Sequence, residues 1–438
     1  MVVYILQNTS VFICIYVNIY QDRSMHVIII FSLKGCIMKF IVKLKKLCST
    51  DPVLFISGIL ASFSGFIIHP DLKYLTYIDY RVISILFMLM LIVSGLIKSG
   101  LFLILMKKMI STVHTEKLLS TILVIISFFL SIFITNDVTL ITIVPFTILL
   151  FNESSYAVPN YFGSHVCLRY RLMRTLIMET ISANLGSMLL PIGNPQNLYL
   201  YQFFHIPFFE FIKITFPFTL ISLITLIFGT FILIPNDGSI RNAELHRTNM
   251  RNQNNITDFR QKVLIFTYLI LFIAALLSVS RLFDWRIASA ITILVSLIFE
   301  RSLFRMCNYR LLITFIFFYI FIGNLGRIPE ISSFLKCVTS RSPLIVSTAA
   351  SQIISNVPAA VLFSKFTNNA PQLIIGTNIG GLGTLIASMA SLITYQQYSA
   401  KMRSVNQKGA MRDYILHFTI TNIIFLIILL LTAFIIFK

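Results

Sequence analysis

Two acidic residues, Asp137 and Glu179, are the side chains best placed to do chemistry inside the apolar runs of this sequence. They are the two of its 16 acidic residues that fall within such runs, 118–151 and 175–200. A charge at the centre of a bilayer costs about 2.5–3.5 kcal/mol, so an acidic residue kept there usually has a function. Asp137 is the stronger candidate, as a proton carrier or sodium ligand, because its run contains no basic residue. Glu179 is the second acidic candidate for ion coupling, although its expected position, about one turn inside the cytoplasmic end of its span, would also let it simply reach water.

The composition sets the environment of these acids. Of 438 residues, 57% are hydrophobic and only 12% are charged, against roughly a quarter in ordinary globular proteins. A soluble protein is excluded, and an all-α polytopic membrane protein is predicted. The net charge of +19 fits the accumulation of Lys and Arg in cytoplasmic loops, so it indicates topology and no nucleic-acid partner.

A hydrocarbon core about 30 Å thick needs about 20 apolar residues in a helix. Runs of this kind predict nine spans, at 53–69, 82–105, 175–200, 212–234, 263–280, 287–299, 311–325, 371–395 and 414–437. Two further apolar stretches, 118–151 and 343–366, have polar centres and do not fit one crossing. They bring the prediction to about nine or ten transmembrane helices plus two hairpins.

Loop charges indicate how the two polar-centred stretches are placed. Basic residues flank 118–151 at both ends, so both ends are expected in the cytoplasm and the stretch is predicted to be a re-entrant hairpin with Thr135, Asn136 and Asp137 at its tip. The stretch 343–366 is predicted to enter and leave from outside, with Ser355 and Asn356 at its tip. Non-helical backbone at this depth lines a cavity or is buried in protein, so both tips should line a site.

The two halves of the chain resemble each other in order and in detail. Each has a polar-tipped hairpin followed by a span that a polar motif interrupts, and the two motifs are Ser182-Ala-Asn-Leu-Gly-Ser and Gly376-Thr-Asn-Ile-Gly-Gly. The motifs align Asn184 with Asn378. The loop charges give the two halves opposite orientations, and inverted repeats with interrupted helices are typical of secondary transporters with a midplane site.

The predicted organisation has four parts. They are a basic cytoplasmic segment 1–51, in which Met38 is a candidate start, a first transmembrane repeat 52–234, a cytoplasmic linker 235–262 and an inverted second repeat 263–438. The location is a cytoplasmic (inner) membrane with the N-terminus and the linker in the cytoplasm and the C-terminus outside.

The predicted site combines helix N-termini with unwound backbone. If each hairpin's second arm begins at its tip, Thr135 or Asn136 would cap one helix and Asn356 the other, with Pro358 in its first turn. Two helix N-termini would then face the midplane and could bind an anion without Lys or Arg. Carbonyl, Asn and Thr oxygens of the interrupted spans could hold a cation such as sodium, and the candidates are Asn184, Gly193, Asn194, Asn197, Thr377, Asn378, Gly381 and Thr384.

Other function classes find less support in the residues. We find no GxSxG or HExxH motif for an intramembrane enzyme and no metal-ligand spacing of His or Cys. No cofactor is expected, and sodium or a proton would be bound only as the coupling ion. A channel is a third hypothesis, which conduction far faster than a carrier's turnover would favour.

The motifs resemble those of the ion transporter superfamily that groups arsenical pump membrane subunits, citrate transporter-like permeases, divalent anion:sodium symporters and one class of sodium/proton antiporters. The resemblance covers most of 52–438 and is carried by Phe133-Ile-Thr-Asn-Asp-Val, by Ile354-Ser-Asn-Val-Pro and by the run from Ser182 to Asn197, which is most similar to bacterial putative anion permeases. It implies that the tips and broken helices bind substrate and coupling ion, at Asn136, Asp137, Ser355, Asn356, Asn184 and Asn378.

The chain departs from the dicarboxylate symporter pattern at both tips. Val357 replaces the second hydroxyl of the Ser-Asn-Thr signature, and Asp137 takes the matching place in the first tip. A dicarboxylate is therefore less favoured unless Asp137 is protonated or neutralised by a cation. The predicted function is cation-coupled transport of a small anion or oxyacid across the bilayer, with a sodium/proton antiporter and an arsenite-type efflux permease as alternatives and a homodimer as a candidate assembly.

Overall fold

The computed structural model of the chain describes residues 52–102, 104, 115–154, 164–234, 259–405, 407 and 409–438. The predicted N-terminal segment 1–51 and most of the predicted linker 235–262 lie outside the described residues. Every regular element in the described residues is an α-helix. Residues Ser57–Lys438 form one compact unit, and the described part of the other unit, Met1–Ile56, is the beginning of the first helix.

In the described residues, eight helices precede the linker. They are α1 (Pro52–Ile67), α2 (Lys73–Tyr77), α3 (Tyr80–Lys98), α4 (Glu116–Phe133), α5 (Asn136–Ser154), α6 (Ser164–Gly186), α7 (Pro195–Phe203) and α8 (Phe208–Leu233).

Ten helices lie in the part of the chain described after the linker. They are α9 (Phe259–Val279), α10 (Trp285–Phe299), α11 (Leu303–Met306), α12 (Tyr309–Leu325), α13 (Pro329–Arg341), α14 (Pro343–Ile354), α15 (Asn356–Ser364), α16 (Ala370–Ile379), α17 (Met389–Ser404) and α18 (Ala410–Ile436).

Four of the described helices, α3, α8, α9 and α18, are long and apolar enough to cross a membrane, and α12 with α13 would make a fifth although the pair bends by 104°. Apolar side chains such as Phe228, Ile232 and Ile435 are largely exposed on α8 and α18. An apolar surface of this kind is stable only where it contacts lipid. The fold is that of an all-helical polytopic membrane protein.

The sequence predicted where most helices lie. The stretch 118–151 divides into α4 and α5, 343–366 divides into α14 and α15, and 175–200 breaks after Gly186. The prediction for 371–395 was too short, because α17 continues to Ser404. It also missed α2, α11 and α13, whose lengths or polar faces fall below the criterion for a span.

Helix α6 lies at the centre of the described helices and contacts α4, α5, α8, α16, α17 and α18. The contact with α4 is close because Gly186 has no side chain: a Cβ there would lie 2.5 Å from Ser131 Oγ. Helices α16 and α14 meet in the same way, since a Cβ on Gly380 would lie 2.6 Å from Ser351 Oγ. In each half, the glycine at the end of the interrupted helix therefore allows a close helix contact: Gly186 between α6 and α4, and Gly380 between α16 and α14.

Candidate functional site

Two helices in the middle of the fold are interrupted, one between α6 and α7 and the other between α16 and α17. Between α6 and α7 the chain runs through residues 187–194, and α7 restarts with Asn194 as N-cap, whose Oδ1 accepts a hydrogen bond from the Asn197 amide at 2.9 Å. Pro195 occupies the first turn of α7, where its missing N–H costs nothing. Between α16 and α17 the chain runs through residues 380–388, where Gly383 has a φ of +103° that favours glycine.

The tips of the two helix pairs α4–α5 and α14–α15 are tied to these interruptions by matching backbone hydrogen bonds. The amide of Asn136, the first residue of α5, donates to the carbonyl of Gly193 at 3.1 Å. The amide of Asn356, the first residue of α15, donates to the carbonyl of Ala387 at 3.0 Å. Gly193 and Ala387 each immediately precede the residue at which the interrupted helix restarts, so the two tips are held in equivalent positions.

Polar side chains from both halves meet between the tips, and we call this group the asparagine cluster: Asn136, Asn184, Asn194, Asn197, Asn378 and Ser388. All six are buried. Asn184 Oδ1 accepts hydrogen bonds from Asn136 Nδ2 at 2.9 Å and from Ser388 Oγ at 3.0 Å. Asn378 is bound in a similar way, since its Oδ1 accepts from Asn194 Nδ2 at 3.0 Å and its Nδ2 donates to Asn197 Oδ1 at 2.6 Å.

The cluster has donor and acceptor capacity left for a ligand. Within the described residues, Asn136 Oδ1 and Asn184 Nδ2 have no hydrogen-bond partner although both atoms are buried. A buried amide without a partner is costly, so such a group usually binds something else. The cluster contains no charged side chain, and it therefore offers neutral dipoles to an ion of either sign.

Asp137 and Thr135 lie beside the cluster and line a cavity of about 80 Å³. Its other walls come from α3, including Met90 and Ser94, from Pro195 of α7 and from Asn308. Asp137 is 9% exposed and lies in the first turn of α5, where the helix dipole favours a negative charge. The cavity exceeds the space that one water molecule needs.

The second tip differs from its prediction. Asn356 was predicted to cap α15, and this is wrong: Ser355 occupies the N-cap position with a φ of 74° and a ψ of 156°. Asn356 is the first helical residue, and its Oδ1 accepts from the Val357 amide at 2.9 Å. The backbone of Ser355 lies in a region that glycine alone adopts readily, which costs about 1–3 kcal/mol. Its Oγ donates to the Ala387 carbonyl at 3.3 Å.

Two predicted residues do not reach the asparagine cluster. Thr377 Oγ1 donates to the carbonyls of Leu373 and Ile374 in its own helix. Thr384 is half-buried, and its Oγ1 donates to the Gln352 carbonyl at 3.0 Å. Of the two predicted backbone ligands, the Gly193 carbonyl accepts a hydrogen bond from the Asn136 amide, and Gly381 lies against the second tip, since a Cβ there would be 2.9 Å from Asn356 Nδ2.

Glu179 does not reach water, contrary to the prediction. It is 0% exposed, and α6 begins 15 residues before it, or about 22 Å along the helix axis. The prediction began the span at 175 and so placed Glu179 too near its end. Glu179 Oε1 accepts a hydrogen bond from Thr147 Oγ1 of α5 at 2.6 Å, and within the described residues Glu179 makes no hydrogen bond to the asparagine cluster.

The sequence reasoning missed Ser388 and Gln352. Ser388 follows Asn378 by ten residues, as Asn194 follows Asn184, so extending the alignment of the two motifs would have found it. Gln352 fastens the second interruption, because its Nε2 donates to the carbonyls of Gly380 and Leu382, both at 2.9 Å. Within the described residues no group of three or more His, Cys, Asp or Glu side chains could hold a metal ion.

Comparisons with known proteins show the family to which the chain belongs. The profile of the citrate transporter family matches residues 46–372. The chain is 36% identical over 282 residues to "Uncharacterized transporter MJ0456" of Methanocaldococcus jannaschii, covering 64% of this chain and 71% of that protein. It is 29% identical over 322 residues to "Inner membrane protein YbiR" of Escherichia coli, covering 72% of this chain and 79% of that protein. The chain is thus a multi-pass membrane transporter, not an enzyme, and belongs to the citrate transporter family.

Proposed function

We propose that this chain is a secondary active transporter that moves a small anion or oxyacid with a coupled proton or sodium ion. The observation that carries the proposal is the asparagine cluster, to which α5, α6 and α7 contribute from the first half of the chain and α16 and α17 from the second. A buried polar site at interrupted helices in the middle of a membrane fold is where transporters bind substrate.

We infer that the two halves are inverted repeats and that α4–α5 and α14–α15 are re-entrant hairpins. Matching contacts support this: Asn136 to Gly193 corresponds to Asn356 to Ala387. Asn194 to Asn378 corresponds to Ser388 to Asn184, so the residue that restarts each interrupted helix binds the asparagine of the other half.

Contacts at the helix ends support the proposed topology. Arg169 of α6 pairs with Asp413 of α18 at 2.6 Å, and Lys98 at the end of α3 pairs with Glu300 after α10 at 2.9 Å. All four residues lie at ends that the loop charges assign to the cytoplasm. Arg327 pairs with Asp71 at 2.9 Å, and both belong to loops assigned outside. On this basis we keep the linker in the cytoplasm and the C-terminus outside, and a homodimer is the assembly to test.

For the substrate, we propose an anion held by the first turns of α5 and α15 together with the amide of Asn184. Helices α5 and α15 begin at the two tips, so the positive end of each helix dipole lies there, although the amides of Asn136, Asn356 and Val357 already donate hydrogen bonds within the protein. Thr135, Asn136, Ser355 and Asn356 would contact the substrate. The family's description as citrate transporters supports a substrate that carries a carboxylate. The Asp137 carboxylate lies beside the first tip and would repel such a substrate unless a proton or a cation neutralises Asp137.

For coupling, we propose Asp137 as the group that binds the proton or sodium ion, with Asn194 and Asn197 nearby. With Asp137 neutralised, the anion and the cation would be bound together, and neither would cross alone. A sodium/proton antiporter that uses Asp137 directly, and an arsenite-type efflux permease, remain the alternative functions at the same site.

The test uses the purified full-length protein. A thermal-shift screen of citrate, other carboxylates, phosphate, sulfate and arsenite, with and without sodium, should find an anion that raises the melting temperature, because a ligand of the folded state stabilises it. The same anion should be taken up by proteoliposomes when an ion gradient is imposed.

Asp137→Asn should remove the dependence on the ion gradient while the protein still inserts, because the substitution keeps the shape and removes the ionisable group. Glu210→Gln, at an exposed position of α8, is the matched control and should behave as the unaltered protein. Sodium-driven proton movement without any added anion would instead support the antiporter, and gradient-coupled uptake unchanged in Asp137→Asn would refute the role of Asp137.

A further inference from the structure

We propose that Glu179 binds a proton inside the membrane, and that this proton is exchanged with the cytoplasmic end of α18 through the phenols of Tyr414 and Tyr398. The inference deepens the proposed function, on which it rests for the use of the proton as coupling ion. It identifies a second acidic site, separate from Asp137 and from the asparagine cluster.

The carboxyl group of Glu179 is enclosed and incompletely bonded. It is 0% exposed, Thr147 Oγ1 donates to Oε1 at 2.6 Å, and Oε2 has no hydrogen-bond partner among the described residues. No ion pair to Glu179 occurs in the described part of the chain. An isolated carboxylate is very costly in such surroundings, whereas a protonated carboxyl is neutral and gains an O–H donor. The buried group is therefore suited to hold a proton.

The groups that face Glu179 come from several helices. From α5 it meets Thr147, and Tyr414 of α18 lies close to Thr180 and within electrostatic range of Glu179. No charged side chain of α4, α5, α8 or α16 within the described residues acts on Glu179. The adjacent helix α17 contributes Tyr398, whose ring stacks on that of Tyr414 at 4.8 Å between centroids. Tyr414 is thus the titratable neighbour of Glu179, and Tyr398 the next one along.

The two phenols extend from Glu179 toward the surface. Both side chains are fully buried; the Tyr414 hydroxyl lies close to Thr180 of α6, but within the described residues neither hydroxyl meets the geometry of a hydrogen bond. Tyr398 lies within electrostatic range of Arg169 and Asp413, whose ion pair is partly exposed, with side-chain exposures of 14% and 32%. Buried hydroxyls are normally hydrogen-bonded, so these two are open to form a chain with water molecules between them.

The proposed transfer leaves the protonation states of Tyr398 and Tyr414 unchanged and alters only that of Glu179. A proton from water enters the chain at Tyr398, whose own proton passes toward Tyr414, and the proton of Tyr414 passes to Glu179 Oε2. Each phenol ends as it began, and the net change is one proton moved from water to the carboxylate. Because Glu179 lies five residues before Asn184 on α6, about 7.5 Å along the axis, its charge state acts next to the asparagine cluster.

The test is infrared difference spectroscopy of the full-length protein in lipid vesicles, titrated with acid in H2O and in D2O. The unaltered protein should show the carbonyl band of a protonated carboxylic acid that shifts in D2O. Asp137, the proposed coupling group, can contribute a band of its own, so the comparison is made in an Asp137→Asn background. Adding Glu179→Gln should abolish the remaining band, whereas adding Glu210→Gln should keep it. The absence of a band in the Asp137→Asn background, or its persistence when Glu179→Gln is added, would overturn the proposal.

A second variant covers the case in which Glu179→Gln does not fold. Thr147→Val removes the hydrogen bond to Oε1 and should move the band to a different frequency while its amplitude is kept. An unmoved band would mean that the protonated acid is not Glu179.

The route is tested by a pH jump followed at the same band. Tyr414→Phe and Tyr398→Phe keep the stacked rings and remove the hydroxyls, so each should slow the response at least tenfold. Tyr395→Phe is the matched control, because the Tyr395 ring also lies near Tyr414, at 5.8 Å, but outside the chain. An unchanged rate in Tyr414→Phe would overturn the route. Failure of all the anions to be transported would refute the proposed function and leave the infrared result standing.

Discussion

Replacing Gly186 by alanine should separate the first hairpin from the asparagine cluster. Gly186 ends α6, two residues after Asn184, and faces α4. A Cβ at this position would lie 2.5 Å from Ser131 Oγ and 2.9 Å from the carbonyl carbon of Phe128, and nearer still to the Phe128 carbonyl oxygen. Ordinary contact begins at 3.4 Å. The serine side chain can turn away, but the Phe128 carbonyl belongs to the backbone of α4, so the helices themselves must move.

The size of the effect follows from this contact. Because close-packed helices cannot absorb the overlap, α4 and α6 must part by roughly 1 Å, and overpacking of this kind costs about 1–3 kcal/mol. Helix α4 leads into the tip that carries Asn136, and α6 carries Asn184, so the separation would lengthen the 2.9 Å hydrogen bond between them. We therefore expect a loss of stability and a loss of ligand binding together.

Unfolding of the purified variants in mixed detergent micelles measures the stability change, and the thermal-shift screen measures binding. Gly326→Ala is the matched control, because its Cβ would lie 3.5 Å from the nearest atom. Gly380→Ala, which meets mainly the side chain of Ser351, should have a smaller effect than Gly186→Ala. If Gly186→Ala is as stable as Gly326→Ala, the close approach of α4 and α6 is wrong, and the argument for the hairpin fails with it.

Three further outcomes are expected from other contacts. Ser355→Gly should relieve the backbone at a φ of 74° and raise the melting temperature, while the lost Oγ contact at the tip weakens ligand binding; a lowered melting temperature would contradict the strain. Asn378→Ala removes the three hydrogen bonds that the Asn378 side chain makes with Asn194, Asn197 and Ile374. Since such bonds average about 0.6 kcal/mol in membranes, the free energy of unfolding should fall by about 1–2 kcal/mol. Asn422→Ala removes a single bond within α18 and should lower it less in the same unfolding assay. Hydrogen bonds from Lys98 and Ser302 lower the pKa of Glu300. The stability that this carboxylate contributes is therefore present above its unfolded pKa and is lost as the pH falls through its folded pKa. Glu300→Gln should reduce this acid-dependent loss of stability, and an unchanged pH profile would exclude the Lys98–Glu300 pair as its source.

The sequence by itself determined the class of the protein, the position of most helices and the residue types of the candidate site. Apolar run length and polar interruptions are local properties, which is why α4 and α5 could be separated at the predicted tip. The interruptions predicted at the motifs 182–187 and 376–381 likewise lie where α6 ends at Gly186 and α16 ends at Ile379. The alignment of Asn184 with Asn378 was likewise available from spacing alone.

Only the tertiary structure decided which of these residues meet and which groups have no water. Burial of Glu179 depends on α5, α17 and α18 packing around α6, and no run length reports this. The bond from Ser388 to Asn184 joins residues 204 positions apart, and the strained Ser355 is held by the Ala387 carbonyl and its neighbours. These contacts are set by how separate helices approach one another, and local sequence patterns carry no record of that approach.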